Sequence, residues 1–151
     1  MSPDSVFALS NGLALLSWLA LIFSPASAPW TRRVWFISGR AVPLLLSAGY
    51  LLMFALHWRG EGGFGSPAEV RALFDLPDLL VAGWMHYLAF DLFVGAWIAE
   101  RAQRIGLPHM VSVPLLILTF MLGPVGFLSF MTVSAWRQRQ GLSTHLSGES
   151  L

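Results

Sequence analysis

The sequence has no cysteine and no lysine, and charged residues of any kind fill only 11% of its 151 positions. Without cysteine there is no disulfide, no thiolate nucleophile and no Cys-ligated zinc or iron–sulfur cluster. A soluble domain usually carries about 25% charged residues, so this chain has too few to cover a water-facing surface. The net charge of +1, with no run of basic residues, gives no footing for nucleic-acid binding. Catalytic signatures are missing as well. There is no GxSxG elbow, no HExxH and no pair of histidines at helical spacing, so no metal site is expected. The glycine cluster GEGGFG at residues 60–65 follows no strand and is not a phosphate loop. No cofactor motif is present.

What the chain does have is apolar mass: 56% hydrophobic residues, with seven Trp and eleven Phe. This mass falls into four runs, at about residues 6–23, 34–56, 76–98 and 110–133. At about 1.5 Å per residue, roughly 20 residues cross a hydrocarbon layer of about 30 Å. The last run has no charge at all, and a soluble helix would need a polar face. The fold class that follows is all-α: a polytopic membrane protein of four transmembrane helices. One four-helix domain is expected over residues 1–136, with a polar, frayed tail over 137–151. The N-terminus carries Asp4 and lacks a basic n-region, so the first run reads as a retained membrane helix and not a cleaved signal. Between the second and third runs, Ser66-Pro67-Ala68-Glu69 has the form of a helix start, with Ser as N-cap, Pro at N1 and Glu at N3. It predicts a short interfacial helix that packs Val70, Leu73 and Phe74 against lipid or the bundle.

An even number of crossings puts both termini on one face. Arg32, Arg33, Arg101 and Arg104 then face Arg59, Arg71, Arg137 and Arg139, a tie under the positive-inside rule. Arg40 tips it toward cytoplasmic loops and termini on the periplasmic side. The Trp residues and small-residue positions suit a homodimer as readily as a monomer.

Ionisable groups inside apolar spans usually face a protein interior or a pocket. The third run, GWMHYLAFDLFVGAWIAE, is the unusual one. On a helix Trp84, Tyr87 and Asp91 share a stripe, and His86 lies about 140° round from Asp91. Arg40 and Asp91 come out at about 9 and 10 Å from the same face, which predicts an Arg40–Asp91 pair; snorkelling of the Arg40 stem is the competing outcome. His86 lies near mid-membrane, about 18 Å in, at the depth of Asn11, Ser47 and Gly123-Pro124. Pro114 and Pro124 each remove a helical hydrogen bond, and Gly123 and Gly126 allow close approach of another element. These residues describe either a polar pocket walled by an interrupted fourth helix, or interhelical glue beside a kink. The candidate catalytic residues are His86, Asp91, Tyr87 and Arg40; the candidate ligand-binding residues are Asn11, Ser47, Trp84, Phe90, Gly123 and Pro124.

The blocks GWMHYLAFDLFVGAWI (83–98) and GLPHMVSVPLLILTFMLGPVGFL (106–128), with FxLSNGLALLSWLALIF near the N-terminus, resemble the ABA4-like family of small membrane proteins. Its plant members are plastid proteins required for making neoxanthin from violaxanthin. With no plastid transit region before the first span, the chain resembles a bacterial, inner-membrane member. The resemblance implies an intramembrane enzyme acting on a hydrophobic isoprenoid of carotenoid type, by cofactor-independent isomerisation of an epoxide. In that chemistry one of His86 and Asp91 donates a proton to the epoxide oxygen while the other supports or removes one. Tyr87 orients a substrate hydroxyl, and Trp84 faces cationic character. The alternative is a non-catalytic carotenoid- or lipid-binding or accessory membrane protein. Either way the expected partners are membrane lipid and a hydrophobic small molecule.

Overall fold

A computed structural model describes residues 1–25 and 27–148, and every regular element in them is helical. In order they are α1 (Pro3–Ile22), α2 (Thr31–Phe36), a π-helical turn (Ile37–Ala41), α3 (Val42–His57), α4 (Pro67–Phe74), α5 (Pro77–Arg104) and α6 (His109–Gly148). Four helical stretches are long and apolar enough to cross a membrane: Pro3–Ile22, Thr31–His57, Pro77–Arg104 and His109–Arg139. The protein is thus the expected all-α, multi-pass membrane protein, with a short helix between the second and third long ones. The expected frayed tail from residue 137 is instead helix through Gly148, and its last three residues lie outside the described part.

Helix α5 is the hub. Half of its apolar window is buried, against 22–33% in the other three. It touches α1, α3, α4 and α6, whereas among the described residues α3 and α6 do not pack together. Small residues allow this crowding, because interhelical packing in lipid depends on close approach and not on the hydrophobic effect. A Cβ on Gly95 would fall into the Trp18 ring of α1, and one on Gly39 onto Ala96. The hydroxyls buried on α1 are satisfied within their own helix: Ser10 and Ser17 donate to the carbonyls of Val6 and Leu13 at 2.8 and 2.9 Å.

The connection before α5 follows its sequence signals. Ser66 Oγ accepts from the Glu69 amide at 3.2 Å, and Glu69 reaches back to accept from the Gly65 amide at 3.0 Å. That exchange is a capping-box arrangement shifted by one residue. Gly62, at φ 73°, lies against the backbone of Glu69 and Leu73, where no side chain fits. Leu73 is buried and Phe74 lies over Gly83 of α5. His57 is the last residue of α3 and reaches Asp78 at the start of α5, 3.6 Å away.

Helix α6 departs from a straight span. Leu122 is non-helical (φ −144°, ψ 59°), and the chain doubles back there. A straight helix would carry Arg137 about 46 Å from Gly106. Instead the Arg137 guanidinium donates to the Gly106 carbonyl at 3.2 Å. Trp97 of α5 contacts both Phe127 and Phe130, at ring separations of 5.9 and 5.6 Å. The outgoing limb passes close to the returning one: a Cβ on Gly126 would overlap the backbone of Thr119. The Gly123-Pro124 step, read from sequence as either an interruption beside a pocket or a kink, is the hinge of a helical hairpin. The first helix's start and Arg137 accordingly sit at opposite ends of the bundle. Phe7 and Asn11 contact Trp84 in the first half of α5, and Arg137 lies at the loop after its end. The expectation that both termini share a face assumed a straight fourth helix, which α6 is not.

The close approach gives a direct prediction. Gly126→Ala forces the limbs apart against backbone and is expected to destabilise the protein by about 1–3 kcal/mol, as overpacking does. Gly12→Ala, which meets nothing within 4 Å, is the control. Thermal unfolding in detergent checks the pair: Tm falls for the first and holds for the second.

Candidate functional site

The hairpin tip and α5 build one chamber, open along its outer side, where His86, Tyr87 and Phe90 are exposed. Its volume is about 520 Å³, and its lining includes His86, Tyr87, Phe90, Asp91, Gly123 and Pro124. Successive turns of α5 supply the first four, and the reversal at Leu122 brings the last two against them. A Cβ on Gly123 would overlap a carboxylate oxygen of Asp91, so glycine lets the tip close on that side chain without displacing it. The second limb of α6 starts at this point, turning the positive end of its peptide dipoles toward the carboxylate. Asp91 has no hydrogen bond or ion pair among the described residues. Its oxygens are available to a ligand.

The aromatic groups around it are held in register. The His86 ring stacks on Phe90 at 4.7 Å and meets the edge of Tyr50 at 5.4 Å. Tyr87 stacks on Trp84 at 5.2 Å. Trp84 in turn donates its indole N–H to Asn11 Oδ1 at 3.0 Å, while Asn11 Nδ2 donates to the Phe7 carbonyl at 2.9 Å. Asn11 therefore braces Trp84 from α1 and does not line the chamber. Ser47 lies in a separate groove of about 360 Å³ between α3 and α5, with Arg40 at one end and Phe90 as the shared wall.

Arg40 does not pair with Asp91. It donates to Glu100 at 3.0 Å, and Glu100 also takes Arg104 at 3.4 Å. The reason lies in the backbone and the stem together. The π turn sets Gly39 against Ala96, about 7.5 Å along α5 from Asp91, and the long Arg40 side chain extends away from mid-membrane to Glu100. The guanidinium is half exposed, so the pair contributes about 0–1 kcal/mol. Arg40→Gln is expected to change Tm and ligand binding only slightly. A loss of function as large as that from an Asp91 substitution would return Arg40 to the site.

Sequence reasoning missed Phe127, Val94 and Tyr50. Phe127 and Val94 line the chamber, and Tyr50 contacts His86. Phe127 was hidden because a straight fourth helix carries it away from Asp91. Among the described residues no three His, Cys, Asp or Glu side chains gather as a metal would require.

The fold is that of a polytopic membrane protein, with one carboxylate and one imidazole lining an apolar hollow beside the turn of a broken helix. The chain belongs to the ABA DEFICIENT 4-like (ABA4-like) family, whose model matches residues 5–130. That stretch contains the whole of α1 to α5 apart from its first two residues, and the hairpin tip. No curated protein and no solved structure matches the chain.

Proposed function

We propose that the chamber binds an elongated hydrophobic isoprenoid of carotenoid type and isomerises an epoxide on it by acid–base chemistry, in a cell inner membrane. The observation that carries this reading is the unpaired Asp91 carboxylate sharing one apolar chamber with His86. Membership of the ABA4-like family supports this reading. The reaction is redox-neutral. One of the two groups gives a proton to the epoxide oxygen as its C–O bond opens, and the other accepts a proton from the adjacent carbon as a new C=C bond forms. Trp84 and Tyr87 offer π-faces to the developing cation, and Tyr87 carries a hydroxyl for the substrate's polar end.

A non-catalytic binder is the second reading. Its support is the packing of His86 between Tyr50 and Phe90 without a hydrogen bond to Asp91, an arrangement that a purely structural imidazole also adopts. Extraction of the purified protein, followed by an absorption spectrum and mass spectrometry before and after incubation with a carotenoid epoxide, separates the two. An isomer of unchanged mass supports the enzyme. A polyene recovered unaltered supports the binder. The absence of any isoprenoid, bound or converted, ends both.

A further inference from the structure

The fold-back of α6 changes how the chain sits in a membrane. The outgoing limb, residues 109–121, is about 19 Å long, well short of the roughly 30 Å hydrocarbon layer. It reaches the level of Asp91 and turns. Irregular backbone at such depth is tolerated where protein or a cavity covers it; here Gly123 is buried against Asp91, while the apolar side chains of Met121, Leu122 and Val125 are exposed around the turn.

Recounting charges on this geometry ends the tie. The loop after α1, the end of α5 and the returning limb of α6 now share a face. That face carries Arg32, Arg33, Arg40, Arg101, Arg104, Arg137 and Arg139, with Glu100 the one carboxylate among its described residues. The opposite face has Arg59 and Arg71 together with Asp4, Glu61, Glu69, Asp75 and Asp78. Six of the seven arginines on the first face are exposed, and Arg101 is partly so.

We infer that the chain crosses the membrane three times and enters a fourth time only as a re-entrant hairpin, with its arginine face against the anionic headgroups of the cytoplasmic leaflet. The positive-inside bias of seven against two fixes the orientation, and basic side chains at the headgroup level are drawn to anionic lipid. The start of α1 and the α4 cap then lie outside and residue 139 inside. The Asp91 chamber is closed by a hairpin that enters from the cytoplasmic side. None of this depends on the proposed chemistry.

Because the chain has no cysteine, single-cysteine labelling tests it cleanly. Glu61→Cys, Ser27→Cys and Gln138→Cys are each expressed in a bacterial host and treated with a membrane-impermeant maleimide. Labelling in detergent gives the total of each variant. The expected result is that Glu61→Cys reacts in intact spheroplasts, whereas Ser27→Cys and Gln138→Cys react only after permeabilisation. If Gln138→Cys reacts together with Glu61→Cys and apart from Ser27→Cys, the fourth segment crosses and the inference is overturned. If Ser27→Cys and Gln138→Cys react from outside while Glu61→Cys is shielded, the arginine face is external, which overturns the orientation.

Discussion

Replacing Asp91 by asparagine is expected to lower turnover of an isoprenoid epoxide by about 10²–10⁴-fold, the contribution typical of one positioned acid–base group. Helix content and yield should stay intact. The substitution keeps size and shape while removing the ability to exchange a proton. Stability should hold for a specific reason: Asp91 is in no ion pair, so its loss strands no buried partner of the kind that makes broken pairs costly. Arg40 keeps Glu100 whatever stands at position 91. His86→Ala should cost turnover to a similar degree, with some destabilisation added because the ring packs on Phe90 and Tyr50. A rate assay with circular dichroism on each variant checks both. Retained turnover in the two variants would remove the acid–base assignment. Altered binding with no turnover in the native protein would favour the binder.

Gly123→Leu should abolish ligand binding. Even the first carbon of a side chain there falls on the Asp91 carboxylate, and the rest of the leucine would occupy the chamber or push the hairpin tip away from α5. Overpacking of this kind costs about 1–3 kcal/mol, so some loss of stability should accompany the loss of binding. Gly126→Ala separates the two effects. It strains the hairpin at Thr119 and leaves position 123, and hence the chamber floor, free of a side chain. Equilibrium binding of a carotenoid to the detergent-solubilised variants, followed by absorption shift, gives the comparison: lost for Gly123→Leu, reduced at most for Gly126→Ala. Unchanged binding by Gly123→Leu would show that the ligand sits elsewhere.

The helices were legible because lipid imposes a simple rule: long runs without charge form membrane helices, and each of the four runs falls on one of the four long helical stretches, the last two stretches running 6 residues further. The α4 start was legible because Ser66, Pro67 and Glu69 each have one strong positional role. Much of the chamber was legible too, since His86, Tyr87 and Asp91 stand out in an apolar run. Gly123-Pro124 came out at the right depth for an instructive reason: the first limb of α6 descends as a straight helix would until Leu122, so depth counting holds up to the turn. Beyond it the count fails, and Phe127 and Arg137 lie where no straight helix could put them. The reversal turns on one residue's backbone angles, and the Gly-Pro step that permits it serves a mild kink equally well. Arg40 failed for another reason. Depth fixes where an arginine's Cα sits, but its stem is long enough to choose between partners, and Glu100, at the end of the third run, was not weighed as one. Asn11 was placed at the right level, but depth alone could not tell a chamber wall from a brace behind Trp84.

The central claim is that the last apolar segment folds back to set its tip on Asp91. The most direct test is the distance between Met110 and Trp136, measured by pulsed dipolar spectroscopy on spin-labelled Met110→Cys/Trp136→Cys in lipid nanodiscs. Packed limbs with axes about 8–10 Å apart put the labels roughly 10–20 Å from each other. A distribution centred near 40 Å, the length of a straight helix over those residues, would contradict the account.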